Sequence, residues 1–197
     1  MAHGRAIPGN TGITLVELAL VVLVLAVLAT VGTPALQRIQ DQSRTHAEQH
    51  RLTTSLYAAR QHAVLQRSSV VVCRSAGGAS DGCGGGGGWD SGWLVFEDPH
   101  LVSNCIDSSG TGYCHHGGRL LLAQGAVRPG VAVTNNHNVQ DQIRFNARGF
   151  SPGYNGRFSF CISRENGTSP RGIVISNSGR TRPARQDELL ACPGAEN

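Results

Sequence analysis

The chain contains no lysine, and all 17 of its permanently basic side chains are arginines. A phosphate-binding loop ends in Lys followed by Ser or Thr. The glycine-rich run over residues 82–88 carries none of these, so the sequence predicts no nucleotide site there. A GC-rich genome would favour arginine codons, which is the simplest explanation of the preference itself. The positions of the arginines are therefore more informative than their number.

Aromatic residues are also scarce, with 2 Trp, 3 Tyr and 5 Phe against 26 Gly in 197 residues. This balance predicts a modest core with much loop. Patterns typical of catalysis are missing as well: no Ser/His/Asp arrangement has a supporting context, and the carboxylates are scattered rather than paired in buried segments. We therefore expect no enzymatic activity, no cofactor and no metal site.

Positive charge is concentrated in the last quarter of the chain. Residues 1–141 hold nine arginines and nine acidic residues, for no net charge. Residues 142–185 hold eight arginines and Glu165 alone, and residues 186–197 contribute three negative charges, for a total of +4. The eight arginines are Arg144, Arg148, Arg157, Arg164, Arg171, Arg180, Arg182 and Arg185. Such a concentration is typical of a surface that binds a polyanion.

The longest apolar run covers residues 13–31 and is broken only by Thr14, Glu17 and Thr30. As a helix of 19 residues it would extend roughly 28 Å, close to the bilayer core of about 30 Å. A carboxylate in lipid costs on the order of 3 kcal/mol by insertion scales. Glu17 therefore needs a partner, and the run contains no Arg or His to serve as one.

Two ways of processing the N-terminus treat Glu17 differently. Removal of a secretory signal after Ala29 would leave Glu17 without a role. Cleavage after Gly12 would instead make Ile13 the new N-terminus, with its ammonium group four residues from Glu17. That ammonium group can neutralise the carboxylate within the chain or in the next subunit, and a carboxylate on the first helical turn suits the helix dipole.

Beyond the apolar run the pattern remains helical and then becomes β. Leu52, Leu56, Ala59 and Ala63 recur at spacings of four, three and four, which predicts a helical stripe. We predict one helix from Thr14 to about Gln66, with a transmembrane and assembly segment over 13–35 and an amphipathic continuation over 36–67. Short apolar runs then predict a β domain over 68–197. Its strands are expected at 69–73, 92–97, 119–123, 131–134, 142–146, 157–163 and 172–176, with 147–156 as a hairpin connection between 142–146 and 157–163.

The segment "GITLVEL", residues 12–18, resembles the type IV prepilin signature: Gly, an apolar or aromatic residue, Thr, Leu, an apolar residue, Glu and Leu. The resemblance implies that a prepilin peptidase removes residues 1–12, cutting between Gly12 and Ile13, and methylates Ile13, which stands where Phe is usual. It also implies that Glu17 serves assembly with other pilins and pseudopilins. The expected location is the inner membrane, crossed once with the C-terminal domain in the periplasm, and then the extracellular pilus.

The remaining segments resemble, in their order, the FimT/GspH group of minor pilins and pseudopilins. They are "SLYAARQHAVLQRSSVVVCRSA", "GWLVFED", "IRFNARG", "FSFCI" and "GIVISNSGRTR". The resemblance implies an α+β type IV pilin-like fold, in which a long N-terminal helix packs on an antiparallel β-sheet sandwich. The group has two branches: minor pilins implicated in DNA uptake for natural transformation, and type II secretion pseudopilins, which are structural tip components without DNA binding.

One motif resembles the DNA-binding branch: Gly-Arg-x-Arg, present as Gly179, Arg180, Thr181 and Arg182, with Arg185 three residues on. If the loop over 177–186 is extended, Arg180 and Arg182 can reach one DNA backbone, since guanidinium groups bind phosphates bidentately. Arg171 can extend the patch. No aromatic residue lies between the arginines, so we expect sequence-independent binding of double-stranded DNA rather than stacking on single strands. The alternative is a solubilising basic tail.

Six cysteines allow 15 pairings. Their spacing favours neighbours: Cys73 with Cys83, Cys105 with Cys114, and Cys161 with Cys192. The third bond would tie the acidic tail to a core strand and restrain the Arg loop between them. A metal site formed by Cys105, Cys114, His115 and His116 is the alternative, but adjacent His side chains are poorly placed to share one tetrahedral ion. His46 and His50, four residues apart, are expected to be solvated.

Overall fold

The computed structural model describes residues 12–78, 81–162 and 170–192, except for the side chains of residues 30–35. The described residues form one α-helix, α1 (Leu15–Gln66), and eight β-strands. The chain divides into two compact units, with the boundary between Gln40 and Asp41. The architecture is α+β, as the sequence predicts.

The start of α1 follows from its cap. Thr14 precedes the helix, and its Oγ1 accepts a hydrogen bond from the backbone N–H of Glu17 at 3.2 Å. A threonine at this position satisfies one of the free N–H groups of the first turn. The helix therefore begins at Leu15, one residue after the predicted start, and ends at the predicted Gln66.

The first unit exposes apolar side chains along its helix. Ile13, Leu15, Val16 and Leu28 are among them, and Leu15 is 83% exposed. The sequence predicts a membrane span over residues 13–35. Among the residues that the structure describes, no helix is long and apolar enough to cross a membrane.

The β domain consists of two four-stranded antiparallel sheets. Sheet one has the order β3-β2-β1-β5, formed by β1 (Val70–Arg74), β2 (Trp93–Glu97), β3 (Leu120–Gln124) and β5 (Gln142–Phe145). Sheet two has the order β4-β6-β7-β8, formed by β4 (Val131–Asn135), β6 (Gly156–Ile162), β7 (Arg171–Ile175) and β8 (Thr181–Pro183). All seven predicted strands are present, and each begins and ends within one residue of the predicted position. The predicted end of the sixth strand, residue 163, lies outside the described residues.

Two expectations about the β domain are wrong. Residues 147–156 do not connect a hairpin, because β5 pairs with β1 in sheet one whereas β6 pairs with β4 and β7 in sheet two. Turn-forming residues indicate that the chain changes direction, but the partner of each strand depends on which apolar face it buries. The expected loop over 177–186 contains the short strand β8, which pairs with β7.

The larger of two apolar clusters among the described residues joins the second unit's part of α1 to both sheets. The predicted stripe of Leu52, Leu56, Ala59 and Ala63 is buried against apolar residues of β1, β5, β6 and β7. The few aromatic residues are concentrated in buried positions. Six of the ten are fully buried: Trp89, Trp93, Phe96, Phe145, Phe158 and Phe160. Large buried rings compensate for their small number, since each removes much apolar area from water.

The six cysteines form three disulfides, in the pairs that their spacing favours: Cys73–Cys83, Cys105–Cys114 and Cys161–Cys192. The first two lie beside Val71, Leu94 and Phe96 in a second, smaller apolar cluster. The third joins β6 to the C-terminal tail. The tail is therefore fixed to sheet two, as predicted from the spacing.

Candidate functional site

The Gly-Arg-x-Arg motif lies at the turn between β7 and β8. The N–H of Gly179 donates to the carbonyl of Ser176 at 2.8 Å, and the N–H of Ser176 donates to the carbonyl of Arg180 at 3.1 Å. Gly179 has a φ of 73°, the left-handed conformation that this class of hairpin turn requires. A Cβ at Gly179 would lie 2.1 Å from the carbonyl oxygen of Gly149. Glycine is thus required by both backbone conformation and space.

Helix α1 holds this turn in place. The Nε of Arg60 donates to the carbonyl of Gly149 at 2.9 Å, and its Nη2 donates to the carbonyl of Ser178 at 3.4 Å. The hydroxyl of Tyr57 donates to the carbonyl of Thr181 at 3.2 Å. Since Arg60 directly follows the fully buried Ala59, core packing of the helix sets the position of both loops.

Arg180 and Arg182 point away from the core, on either side of the buried Thr181. Together with Val174, Ser176 and Ser178 they line a cleft of about 430 Å³. The side chain of Arg180 is exposed and has no hydrogen-bond or ion-pair partner among the described residues. The two arginines of the motif share a face of the hairpin, as an extended segment requires.

Arg182, in contrast, is engaged by an internal carboxylate. Its Nη1 and Nη2 donate to Oε2 and Oε1 of Glu188 at 2.7 and 2.5 Å, a bidentate ion pair. The hydrogen bonds from Arg182 and from the backbone N–H of Arg185 lower the pKa of Glu188 from 4.5 to about 2, and Glu188 in turn raises the pKa of Arg182. Because the pKa of Glu188 is depressed in the folded state, the pair stabilises the fold fully above about pH 4.5. This stabilisation is lost as the pH falls toward 2.

The C-terminal tail places Glu188 beside the motif. The Cys161–Cys192 disulfide ties the end of the tail to β6. The N–H of Leu190 donates to the Oγ of the buried Ser159 at 2.8 Å. The tail is therefore held at two points on sheet two, two and four residues after Glu188.

The other arginines of residues 142–185 fall into two groups. Arg144 pairs with the buried Asp98 at 2.7 Å, and Arg157 donates to the carbonyl of Glu188 at 3.4 Å. Arg148 and Arg171 are exposed, with no side-chain hydrogen bond or ion pair within the described ranges. Arg164 lies outside the described residues. The charge excess read from the sequence is thus partly neutralised by contacts.

The predicted DNA-binding residues do not form one compact cluster. Gly179 and Arg180 lie at the turn end of the hairpin, whereas Arg171 begins β7 at the opposite end, where Ala184 N–H donates to the carbonyl of Gly172. Arg185 follows Ala184 and is exposed. The arrangement is a row along the hairpin, with Arg182 near its middle.

The N-terminal candidates lie far along the chain from this hairpin and are described separately. Glu17 is exposed in the first turn of α1, and Ile13 is exposed just before the helix. Gly12 is the first described residue, so residues 1–11 of the predicted leader over 1–12 lie outside the described residues. The position of Glu17 in the first turn agrees with the helix-dipole argument.

Sequence reasoning did not identify Glu188 and Phe150 as parts of this region. The predicted Cys161–Cys192 bond contained the signal for Glu188, because it brings the acidic tail to sheet two. Phe150 had no signal, since its loop comes close to the hairpin only through the fold. The N–H of Ser151 donates to the carbonyl of Asn177 at 2.8 Å, which joins the two loops.

Replacing Gly179 by alanine tests the close approach of these loops. Gly153 has a similar φ of 84° and open space around its missing Cβ, so Gly153→Ala is a matched control. Both changes incur the left-handed penalty of roughly 1–2 kcal/mol, but Gly179→Ala adds a clash that overpacking data place at about 1–3 kcal/mol. We expect denaturant unfolding of the full chain in detergent to show the larger loss for Gly179→Ala. Equal losses would contradict the contact with Gly149.

Comparison with known proteins places the fold. The family model described as Type II transport protein GspH matches residues 48–179, more than half of the chain. No curated protein sequence matches this chain. Among solved structures, the type IV minor pilin FimU of Pseudomonas aeruginosa (strain PAO1) in space group P21 is similar, with a TM-score of 0.51 and 21% identity over 77% of this chain and 92% of that chain.

The same FimU protein in space group P65 gives a TM-score of 0.47 and 20% identity over 74% of this chain and 94% of that chain. At the identity of the P21 match the likeness is one of fold, and that fold is the helix-on-sheets architecture described above. The match to the family model is the evidence for membership. The chain therefore belongs to the GspH family and has a type IV pilin-like fold.

Proposed function

We propose that this chain is a minor type IV pilin that enters the pilus through its N-terminal helix and binds extracellular DNA for uptake in natural transformation. Membership of the GspH family makes it a minor pilin or pseudopilin. The DNA part of the proposal depends on one observation above all: Arg180 is exposed and unpartnered among the described residues, on a turn that Arg60 of the helix contacts through the Ser178 carbonyl.

Assembly is supported by the apolar surface of the first unit. The exposed Leu15, Val16, Leu18 and Leu28 need cover from lipid or from neighbouring pilin helices. In this proposal the prepilin peptidase cuts after Gly12 and methylates Ile13. Before assembly the subunit lies in the inner membrane, with its β domain, residues 68–197, in the periplasm.

In this proposal Glu17 fixes the position of the subunit along the fibre axis during assembly. After cleavage the ammonium group of Ile13 lies four residues away in sequence and can neutralise the Glu17 carboxylate of the same or the next subunit. Two opposite charges in a low-dielectric surrounding are strongly favoured over either one alone. A subunit displaced along the fibre axis would leave both charges unpaired, so this contact selects one position.

DNA binding follows from the chemistry of the free arginines. A guanidinium group is permanently charged and matches the geometry of a phosphate. Arg180 has no competing carboxylate among the described residues, and Arg171, Arg185 and Arg148 are exposed around or along the hairpin. Contacts of this kind hold the backbone of double-stranded DNA without regard to sequence and weaken steeply with salt.

A second candidate function is that of a type II secretion pseudopilin, a structural tip component without DNA binding. The description of the family as a type II transport protein favours it. The two functions share the fold and the assembly helix, and they differ at the hairpin. The neighbouring genes would distinguish the two functions: genes for pilus-tip pilins favour the minor pilin, and genes for secretion components favour the pseudopilin. The binding measurements below distinguish them as well.

Replacing Arg180 by glutamine should weaken duplex binding. We expect Arg180→Gln to reduce affinity roughly threefold or more at low salt and to reduce the salt slope by about one, the effect of one lost phosphate contact. The matched control is Arg119→Gln, which removes the same charge from an exposed arginine just before β3 in sheet one. Mobility shift with the full chain in detergent, repeated over a salt series, measures both quantities. Binding by Arg180→Gln equal to that of the control would end the role of this turn.

Glu188 competes with DNA for Arg182, so its neutralisation should strengthen binding. We expect Glu188→Gln to raise duplex affinity by roughly threefold and to steepen the salt slope by about 0.9, because Arg182 becomes available for one more phosphate. Asp187→Asn changes the net charge equally without a hydrogen bond to Arg182, and should leave the slope unchanged. The same salt series tests this, and an identical response of the two variants would show that only overall charge is involved.

Removing the carboxylate of Glu17 should reduce assembly. Glu17→Ala leaves the ammonium group of Ile13 uncompensated in an apolar setting, and we expect at least roughly tenfold less subunit in sheared pili, given the 3–5 kcal/mol typical of a broken buried pair. Asp187→Ala, which removes an exposed acid from the tail, is the control. Immunoblots of pilus and membrane fractions provide the measurement. Ordinary incorporation of Glu17→Ala would refute the charge-pairing account.

A further inference from the structure

We propose that Phe150 is a stacking site for an unpaired nucleobase, so that the surface around Arg180 binds single-stranded DNA as well as duplex backbone. This inference rests on the proposed DNA-binding function and names a ligand feature that phosphate contacts alone do not recognise. It also changes the expectation from the sequence, which is based on the absence of an aromatic residue between Arg180 and Arg182.

The exposure of Phe150 sets it apart from the other phenylalanines. Phe150 is 49% exposed, whereas Phe96, Phe145, Phe158 and Phe160 are at most 1% exposed. In a chain with only 5 Phe, an exposed ring removes apolar area from a core that has little to spare. Its position on the surface therefore favours a contact with a ligand over a role in stability.

The loop that carries Phe150 is preorganised. The Oδ1 of Asn146 accepts hydrogen bonds from the N–H groups of Arg148 at 3.0 Å and Phe150 at 3.1 Å. The N–H of Asn146 donates to the carbonyl of Phe150 at 2.9 Å, and Arg60 binds the carbonyl of Gly149. A ligand that stacks on this ring meets a backbone already held in place, so little ordering entropy is lost on binding.

Free positive charges lie on the same pair of loops. Arg148 is two residues before Phe150, and the turn that carries Arg180 is joined to this loop by Ser151 N–H to Asn177 carbonyl and by Gly153 N–H to Asn177 Oδ1, at 2.8 and 3.2 Å. Neither arginine has a side-chain partner within the described residues. An exposed aromatic ring and free arginines on two joined loops are the groups that single-stranded nucleic acids bind, with bases stacked and phosphates paired.

The test compares three DNA probes on the full chain in detergent: a labelled thymidine oligonucleotide, an abasic strand of the same length and a blunt duplex. We expect Phe150→Leu to weaken binding of the thymidine strand by about fivefold or more, as loss of one stacked base predicts. Binding of the abasic strand and the duplex should stay within about twofold. Tyr113→Leu, a change at an aromatic that is 63% exposed and lies before β3, is the control and should alter none of the three.

A conservative variant separates stacking from folding. Phe150→Trp keeps a stacking surface and should bind the thymidine strand about as well as the wild type, with indole fluorescence quenched by that strand but not by the abasic one. Equal weakening of all three probes by Phe150→Leu, or no weakening of any, would overturn the proposal while leaving the DNA-binding function standing. Unchanged DNA binding with reduced entry into pili would identify Phe150 as a pilin contact instead. A wild-type chain that binds none of the probes would refute the DNA-binding function itself.

Discussion

The burial of one helical stripe between two sheets is the constraint on which the candidate site depends. Leu52, Leu56, Ala59 and Ala63 are at most 1% exposed, and the two alanines let the helix backbone approach the sheets closely. This packing fixes the position of Arg60, whose guanidinium group binds the carbonyls of both adjoining loops. Any change that rotates the helix would therefore move the two loops that carry Gly149 and Ser178.

The sequence predicts elements well and the contacts between elements poorly. Apolar periodicity locates α1 and seven strands, because burial of alternate or helical faces is a local property of the sequence. Cysteine spacing predicts the three bonds, since short loops close most readily. The strand β8 is missed because its residues, Thr181–Pro183, lack an apolar run, and the pairing of β5 and β6 with different sheets is set by distant partners.

The candidate site illustrates the same limit in its charges. The motif places Arg180 and Arg182 correctly on one face, because a period of two is a property of the strand itself. Their availability differs because Glu188, six residues after Arg182, approaches only through the path of the tail. The Cys161–Cys192 bond and the hydrogen bond from Leu190 to Ser159 fix that path. The excess of +7 over residues 142–185 is therefore an upper bound on the positive charge that is available to bind a polyanion.

In this chain, which has no lysine, arginine both secures the structure and supplies the free positive charges of the described residues. The planar guanidinium group donates several hydrogen bonds in fixed directions, and here it secures structure in Arg51 with Glu48, Arg74 with Asp141 and Arg144 with Asp98. These arginines are not available to a ligand, whereas Arg148 and Arg180 lack such partners among the described residues. The distinction between structural and free arginines thus depends on whether a carboxylate or carbonyl lies within reach. That is why net charge alone identifies neither the binding surface nor its ligand.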